Sequence, residues 1–151
     1  MPVGWRSTLG ARRKRADANG NIDHVVIAPS AIWVIDAKNY SGKVERRLHA
    51  GTKRLYVNNR NQTQLVAKMR WQVDAVAKHL APMGFSSMPV RPVICFTNAE
   101  WALLAKPIEI DDVLVTWPRA LVAAINDPGG IEADAARAIA VELSSRLPAS
   151  A

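Results

Sequence analysis

Cysteine is nearly absent from this chain of 151 residues. Cys95 stands alone inside the apolar run Val93-Ile94-Cys95-Phe96, so neither a disulfide framework nor a thiolate metal cluster can be built within one chain. A reducing, intracellular setting fits that usage. Carboxylates are also scarce, 13 against 20 Lys and Arg, which leaves a net charge of +7 and a pI near 10.1. An acidic polymer or surface is the partner to expect, although charge alone does not choose nucleic acid over membrane. Long apolar runs are missing too. None is long enough to span a bilayer, and no signal-peptide stretch follows the basic cluster Arg12-Arg13-Lys14-Arg15. The chain reads as soluble and cytoplasmic, without a membrane partner.

Hydrophobic residues make up 49% and charged residues 22%, inside the globular range and outside the disordered one. The length suits one domain, residues 1–151, with a core over about 4–125. Trp5 to Leu9 reads as a short strand ahead of the basic loop. Ile22 to Ala28 and Ala31 to Lys38 read as strands joined at Pro29-Ser30, a hairpin rich in β-branched residues. Gly42 to Leu48 and Lys53 to Val57 alternate polar with apolar and read as two more exposed strands. From Thr63 to about Met83 the spacing turns helical, with Leu65, Met69, Val73, Val76 and Leu80 along one stripe and Gly84 as the stop. Pro89 to Thr97 reads as a strand buried on both faces and reached by a crossover, so a helix should pack on a mixed sheet. Val113 to Val115 is a last strand, Pro118 to Asn126 a short helix and Ile131 to Leu147 a longer one. The five tryptophans, Trp5, Trp33, Trp71, Trp101 and Trp117, sit in apolar contexts that favour core packing over base stacking.

Asp36-Ala37-Lys38 ends the second strand of that hairpin. Alternation along a strand points Asp36 and Lys38 to one face and Ile35 and Ala37 to the other. Among so many Ile, Val and Trp residues, ionised groups are costly unless they pair or bind a metal. Gln72 falls within the apolar stripe of the long helix, so its amide should face the sheet.

Asn21-Ile22-Asp23-His24 with Val25 to Pro29, then Trp33 to Val44, then Gln72-Val73, together resemble the nuclease-related domain (NERD) family of the PD-(D/E)xK, restriction-endonuclease-like superfamily. The resemblance covers roughly residues 4–125 and is specific in combination, since a lone Asp-x-Lys is weak. It implies an α/β fold with a central mixed sheet flanked by helices, and hydrolysis of phosphodiester bonds in DNA, with RNA as an open alternative. It also implies Mg²⁺, or Mn²⁺ in its place, because oxygen ligands suit a hard cation that neutralises phosphate charge and activates water. Asp23, Asp36 and the backbone carbonyl of Ala37 are the implied metal ligands. Lys38 would stabilise charge in the transition state, and Gln72 would orient water, Lys38 or a phosphate oxygen. Arg12, Arg13, Lys14 and Arg15 lie just ahead of Asp23 and are the candidate nucleic-acid contacts.

Rival readings stand beside each of these. Asp23 could cap a turn, Asp36 with Lys38 could be a structural ion pair, Gln72 could be a satisfied buried amide, and the basic cluster could be a solvated loop. His24 points to the other face from Asp23, so a structural role suits it better than ligation; His49 and His79 receive no role. Active family members carry a further amino-terminal helix with an acidic residue, ahead of the segment that Gly4-Trp5-Arg6 resembles. The chain is expected to lack it. The expectation is therefore a sheet lacking its first helix and open to a second copy or a partner, with a metal site one acid short. A non-catalytic nucleic-acid-binding module, or a truncated inactive interaction domain, is the alternative function.

Overall fold

The computed structural model describes residues 24–84, 89–127, 135 and 137–141. Among the described residues up to 127 are eight strands, β1 (His24–Ile27), β2 (Ile32–Lys38), β3 (Val44–His49), β4 (Thr52–Val57), β5 (Arg60–Asn61), β6 (Val90–Phe96), β7 (Ile108–Ile110) and β8 (Val113–Thr116), and two α-helices, α1 (Gln64–Leu80) and α2 (Pro118–Ile125). The strands form two sheets where one central mixed sheet was expected. The larger is five-stranded and mixed, in the order β1-β2-β6-β8-β7, and the smaller is antiparallel, β3-β4-β5. The short strands β5 and β7 were not foreseen.

Within the larger sheet β2, β6 and β8 run parallel, and β1 and β7 flank them antiparallel. The β2-to-β6 crossover carries α1, as a parallel neighbour requires. Register fixes the faces. Ile32, Val34, Ile94, Phe96, Val113 and Val115 belong to the core beneath α1, whereas Trp33, Ile35, Val93 and Cys95 belong to a second core that includes Leu121 of α2. Both faces of β2 are thus covered, which explains its near-continuous apolar run. Trp33 Nε1 donates to Ser30 Oγ at 2.9 Å, and that hydroxyl donates to the Ile125 carbonyl at 2.9 Å, tying the β1–β2 turn to the end of α2.

The long helix buries Leu65, Val66, Met69, Gln72, Val76 and Leu80. Val73, expected on that stripe, is only partly buried, and Trp71 is 39% exposed. Trp71 lies off the stripe set by the helical period, which overrides its apolar character. Trp33 is buried as expected, and Trp101 and Trp117 pack on each other with ring centroids 4.7 Å apart; Trp5 lies outside the described residues. The α-helix stops at Leu80, short of Met83. A 3₁₀ turn over Ala81–Met83 holds Pro82, which has no N–H to continue the ladder, and Gly84 closes it at φ 81°. The strand expected at Trp5 to Leu9 also lies outside the described residues. Of the helix expected over 131–147, the described positions 135 and 137–141 are helical, with Ile139 buried in the core.

The smaller sheet is built from tight hairpins. Ala50-Gly51 and Asn58-Asn59 all have positive φ, the backbone that two-residue hairpin loops demand. Val44, Leu55 and Val57 join the core beneath α1. Residues beyond them are exposed or half-buried, as the alternating pattern indicated.

Candidate functional site

Asp36 and Lys38 lie near the carboxyl end of β2, where parallel α/β sheets place their ligand crevices. The register pairs Asp36 with Ile94 and Lys38 with Phe96, so both side chains share the face covered by α1. Asp36 is only 6% exposed. A carboxylate in that setting needs a countercharge, and Lys38 Nζ stands 3.5 Å from its Oδ1. That separation makes an ion pair longer than a tight charge-assisted hydrogen bond.

Several contacts hold the strand end in place. Thr97 donates its backbone N–H to the Lys38 carbonyl at 2.9 Å, and its hydroxyl donates to the same oxygen at 3.3 Å. The Tyr40 ring packs on Phe96 with centroids 5.8 Å apart. Neither Thr97 nor Tyr40 stood out in the sequence, although a Thr directly after a buried parallel strand is a signal of a strand-end position.

Gln72 does face the sheet, as the helical stripe required. It is 4% exposed, and its Oε1 has no hydrogen-bond partner among the described residues. This differs from a satisfied structural amide. A buried acceptor left unpaired costs about 1–3 kcal/mol, and such atoms call for an explanation in terms of strain, function, water or an ion. Trp101 Nε1 and Thr116 Oγ1 are buried and unpaired in the same sense.

Ala37 pairs with Cys95 across β2 and β6, and its side chain is on the opposite face from Asp36. His24 pairs with Ile35 and so belongs to the Trp33 side of the sheet, away from Asp36. Asp23 and the cluster Arg12, Arg13, Lys14 and Arg15 lie outside the described residues. Among the described residues no group of three or more His, Cys, Asp and Glu is arranged to hold a metal ion, and no helix is long and apolar enough to cross a membrane.

The arrangement is that of an α/β domain with an acid–ammonium pair at the end of a parallel strand and a helix-borne amide on the same face. The chain belongs to the nuclease-related domain family, whose pattern matches residues 8–97. That span includes β1, β2, the smaller sheet, α1 and β6, and with them Asp36, Lys38 and Gln72. No curated protein and no solved structure matches the chain.

Proposed function

We propose that the domain is a metal-dependent nuclease that hydrolyses DNA phosphodiester bonds on a restriction-endonuclease-like fold, with Asp36 and Lys38 at its centre. The observation that carries this reading is the nearly buried Asp36 carboxylate with the Lys38 ammonium beside it, on the face that also receives Gln72. Membership of a nuclease-related family supports it.

The crossover returns α1 antiparallel to the strands it joins. Gln72 is on the buried face of α1, the face that packs on β6 and β2. The implied donor set is all oxygen: the Asp36 and Asp23 carboxylates and the Ala37 carbonyl. Such a set fits Mg²⁺ or Mn²⁺, since Mg²⁺ is commonly held by one or two carboxylates and keeps several waters. Asp36, the Ala37 carbonyl and Asp23, the residue before His24, would hold it. When bound, the cation supplies charge neutralisation at the phosphate and lowers the pKa of a bound water.

The chain's own groups then divide the remaining work. Lys38, positioned by Asp36 and by the Thr97 contacts to its backbone, places an ammonium where negative charge grows on the phosphoryl oxygens. Gln72 accepts a hydrogen bond from the attacking water or from Lys38, satisfying its unpaired oxygen. Arg12, Arg13, Lys14 and Arg15 contact the DNA backbone.

The ion dependence tests this reading. The full chain with supercoiled plasmid or single-stranded DNA should cut in Mg²⁺ or Mn²⁺ and stop when EDTA is added. Cutting that persists undiminished in EDTA contradicts it.

A further inference from the structure

The smaller sheet concentrates the protein's positive charge. Between residues 43 and 61 stand Lys43, Arg46, Arg47, Lys53, Arg54 and Arg60 against the single carboxylate of Glu45, so this segment supplies most of the net +7. Its faces differ. Val44, Leu55 and Val57 turn into the core, and the register then sends Glu45, Arg47, Arg54 and Tyr56 to the outer face. Arg46 and Lys53 lie on the inner side, toward the hairpin tip where the sheet runs past the core and both are exposed.

On the outer face Arg47 and Arg54 are directly opposite each other across β3 and β4. Like charges in that position destabilise a sheet. Arg47 is held in place: its guanidinium lies 4.2 Å from the Tyr56 ring centroid, its Nε and Nη2 donate to the two Glu45 carboxylate oxygens at 3.3 Å each, and Nη2 donates to Asn59 Oδ1 at 2.7 Å, so Nη1 is the edge left for an outside acceptor. The Glu45 carboxyl is held below its usual range, first by its hydrogen bond from Arg47. Arg54 has no ion-pair partner among the described residues. A fixed, planar guanidinium beside an unpaired one is a suitable arrangement for two phosphates. Basic character continues into the cleft between the start of β3 and residues 101–108, whose walls include Lys43, Arg46 and Lys106.

We infer that the outer face of the β3-β4-β5 sheet is a binding surface for the sugar-phosphate backbone of nucleic acid, with Arg47 and Arg54 as its direct phosphate contacts. This rests on the nuclease reading for the choice of polyanion. It adds a place for the strand that is separate from Asp36 and Lys38. The sheet follows β2 through residues 39–43. Contacts of this kind fix position and carry no sequence information.

The test is fluorescence anisotropy of a labelled random-sequence DNA duplex with the full chain over a range of salt concentrations. Each phosphate contact contributes about 0.9 to the slope of log K against log salt, so Arg47→Gln with Arg54→Gln should flatten it by about 1.8. Affinity should drop by about tenfold, an order-of-magnitude figure for two contacts. Arg54→Gln alone should lose about half that slope, and Arg54→Lys should stay near wild type. Because Arg47 also packs on Tyr56, the single Arg54→Gln variant carries the test if the double variant does not fold.

Unchanged affinity and slope in Arg54→Gln overturn the surface. So does a loss seen only with phosphatidylserine-containing vesicles and not with DNA. Cutting is measured on the same preparations: wild type that binds through this surface without cutting defeats only the nuclease reading, and cutting with unchanged binding defeats only the surface.

Discussion

The Lys38 ammonium stands 3.5 Å from Asp36 Oδ1 on the side of β2 that faces α1. The pair gives this nearly buried carboxylate a countercharge, and Lys38 remains partly open to solvent, at 28% side-chain exposure. A buried charge that loses its partner is costly, and exposure of that partner moderates the cost. Lys38→Met should therefore destabilise the fold by about 1–2 kcal/mol, measured as a lower urea midpoint with an unchanged m-value. A midpoint equal to wild type means that Asp36 does not depend on Lys38.

Gln72 should show the opposite balance between stability and activity. Its buried Oε1 has no hydrogen-bond partner among the described residues, so Gln72→Leu exchanges an unpaired polar group for an apolar one of similar size. Stability should rise by about 1 kcal/mol, and DNA hydrolysis should fall at least about tenfold, a typical cost for losing one positioning hydrogen bond. Thermal unfolding and initial cutting rates measure the two effects. A stabilised variant with full activity removes Gln72 from the site.

Glycine is required at one loop position by contact and at another by backbone conformation alone. At Gly42, φ is 101° and a Cβ would come within 2.5 Å of the Asn58 Cβ, whereas at Gly51, φ is 80° and nothing lies within 4 Å. Gly42→Ala should cost about 2–4 kcal/mol by combining strain with overpacking, and Gly51→Ala about 1–2 kcal/mol from backbone strain. Equal losses in chemical denaturation would show that contact with Asn58 is not what fixes Gly42.

Cys95 gives a pH signature. Burial pushes its thiol up to about 11 from a reference of 9.0. Above pH 9 the unfolded chain releases the thiol proton while the folded chain keeps it, so folding stability from this group is complete below that pH and declines as pH rises toward 11. The slope of stability against pH across that window should be reduced in Cys95→Ala. Native protein should also react with a disulfide reagent at pH 8 far more slowly than unfolded protein, and equal rates contradict the burial argument.

Much of this architecture was legible in the sequence because it rests on period and chain chemistry. The β1–β2 hairpin, the buried β6 strand and the α1 stripe follow from β-branched runs and helical spacing, and alternation alone put Asp36 and Lys38 on one face. The split into two sheets was not legible. β3 pairs with β4, and the Val44 N–H donates to the Glu100 carbonyl, a long-range contact that carries no local pattern. The short strands β5 and β7 were missed for the same reason: two or three residues are too few to show a period. Trp71 shows the limit of reading hydrophobicity without phase, because the helix turns that large side chain outward. The unpaired state of Gln72 Oε1 required three-dimensional packing, although its inward direction did not.

The most direct measurement is plasmid cutting in Mg²⁺ or Mn²⁺ by the full chain, compared with its Asp36→Ala and Lys38→Ala variants. Wild type should nick or linearise the DNA, and both variants should lose at least about 10²-fold in rate, the scale expected for removing a group that stabilises transition-state charge. Wild type and variants cutting at the same rate, or all three failing to cut, would contradict the assignment of hydrolysis to this site.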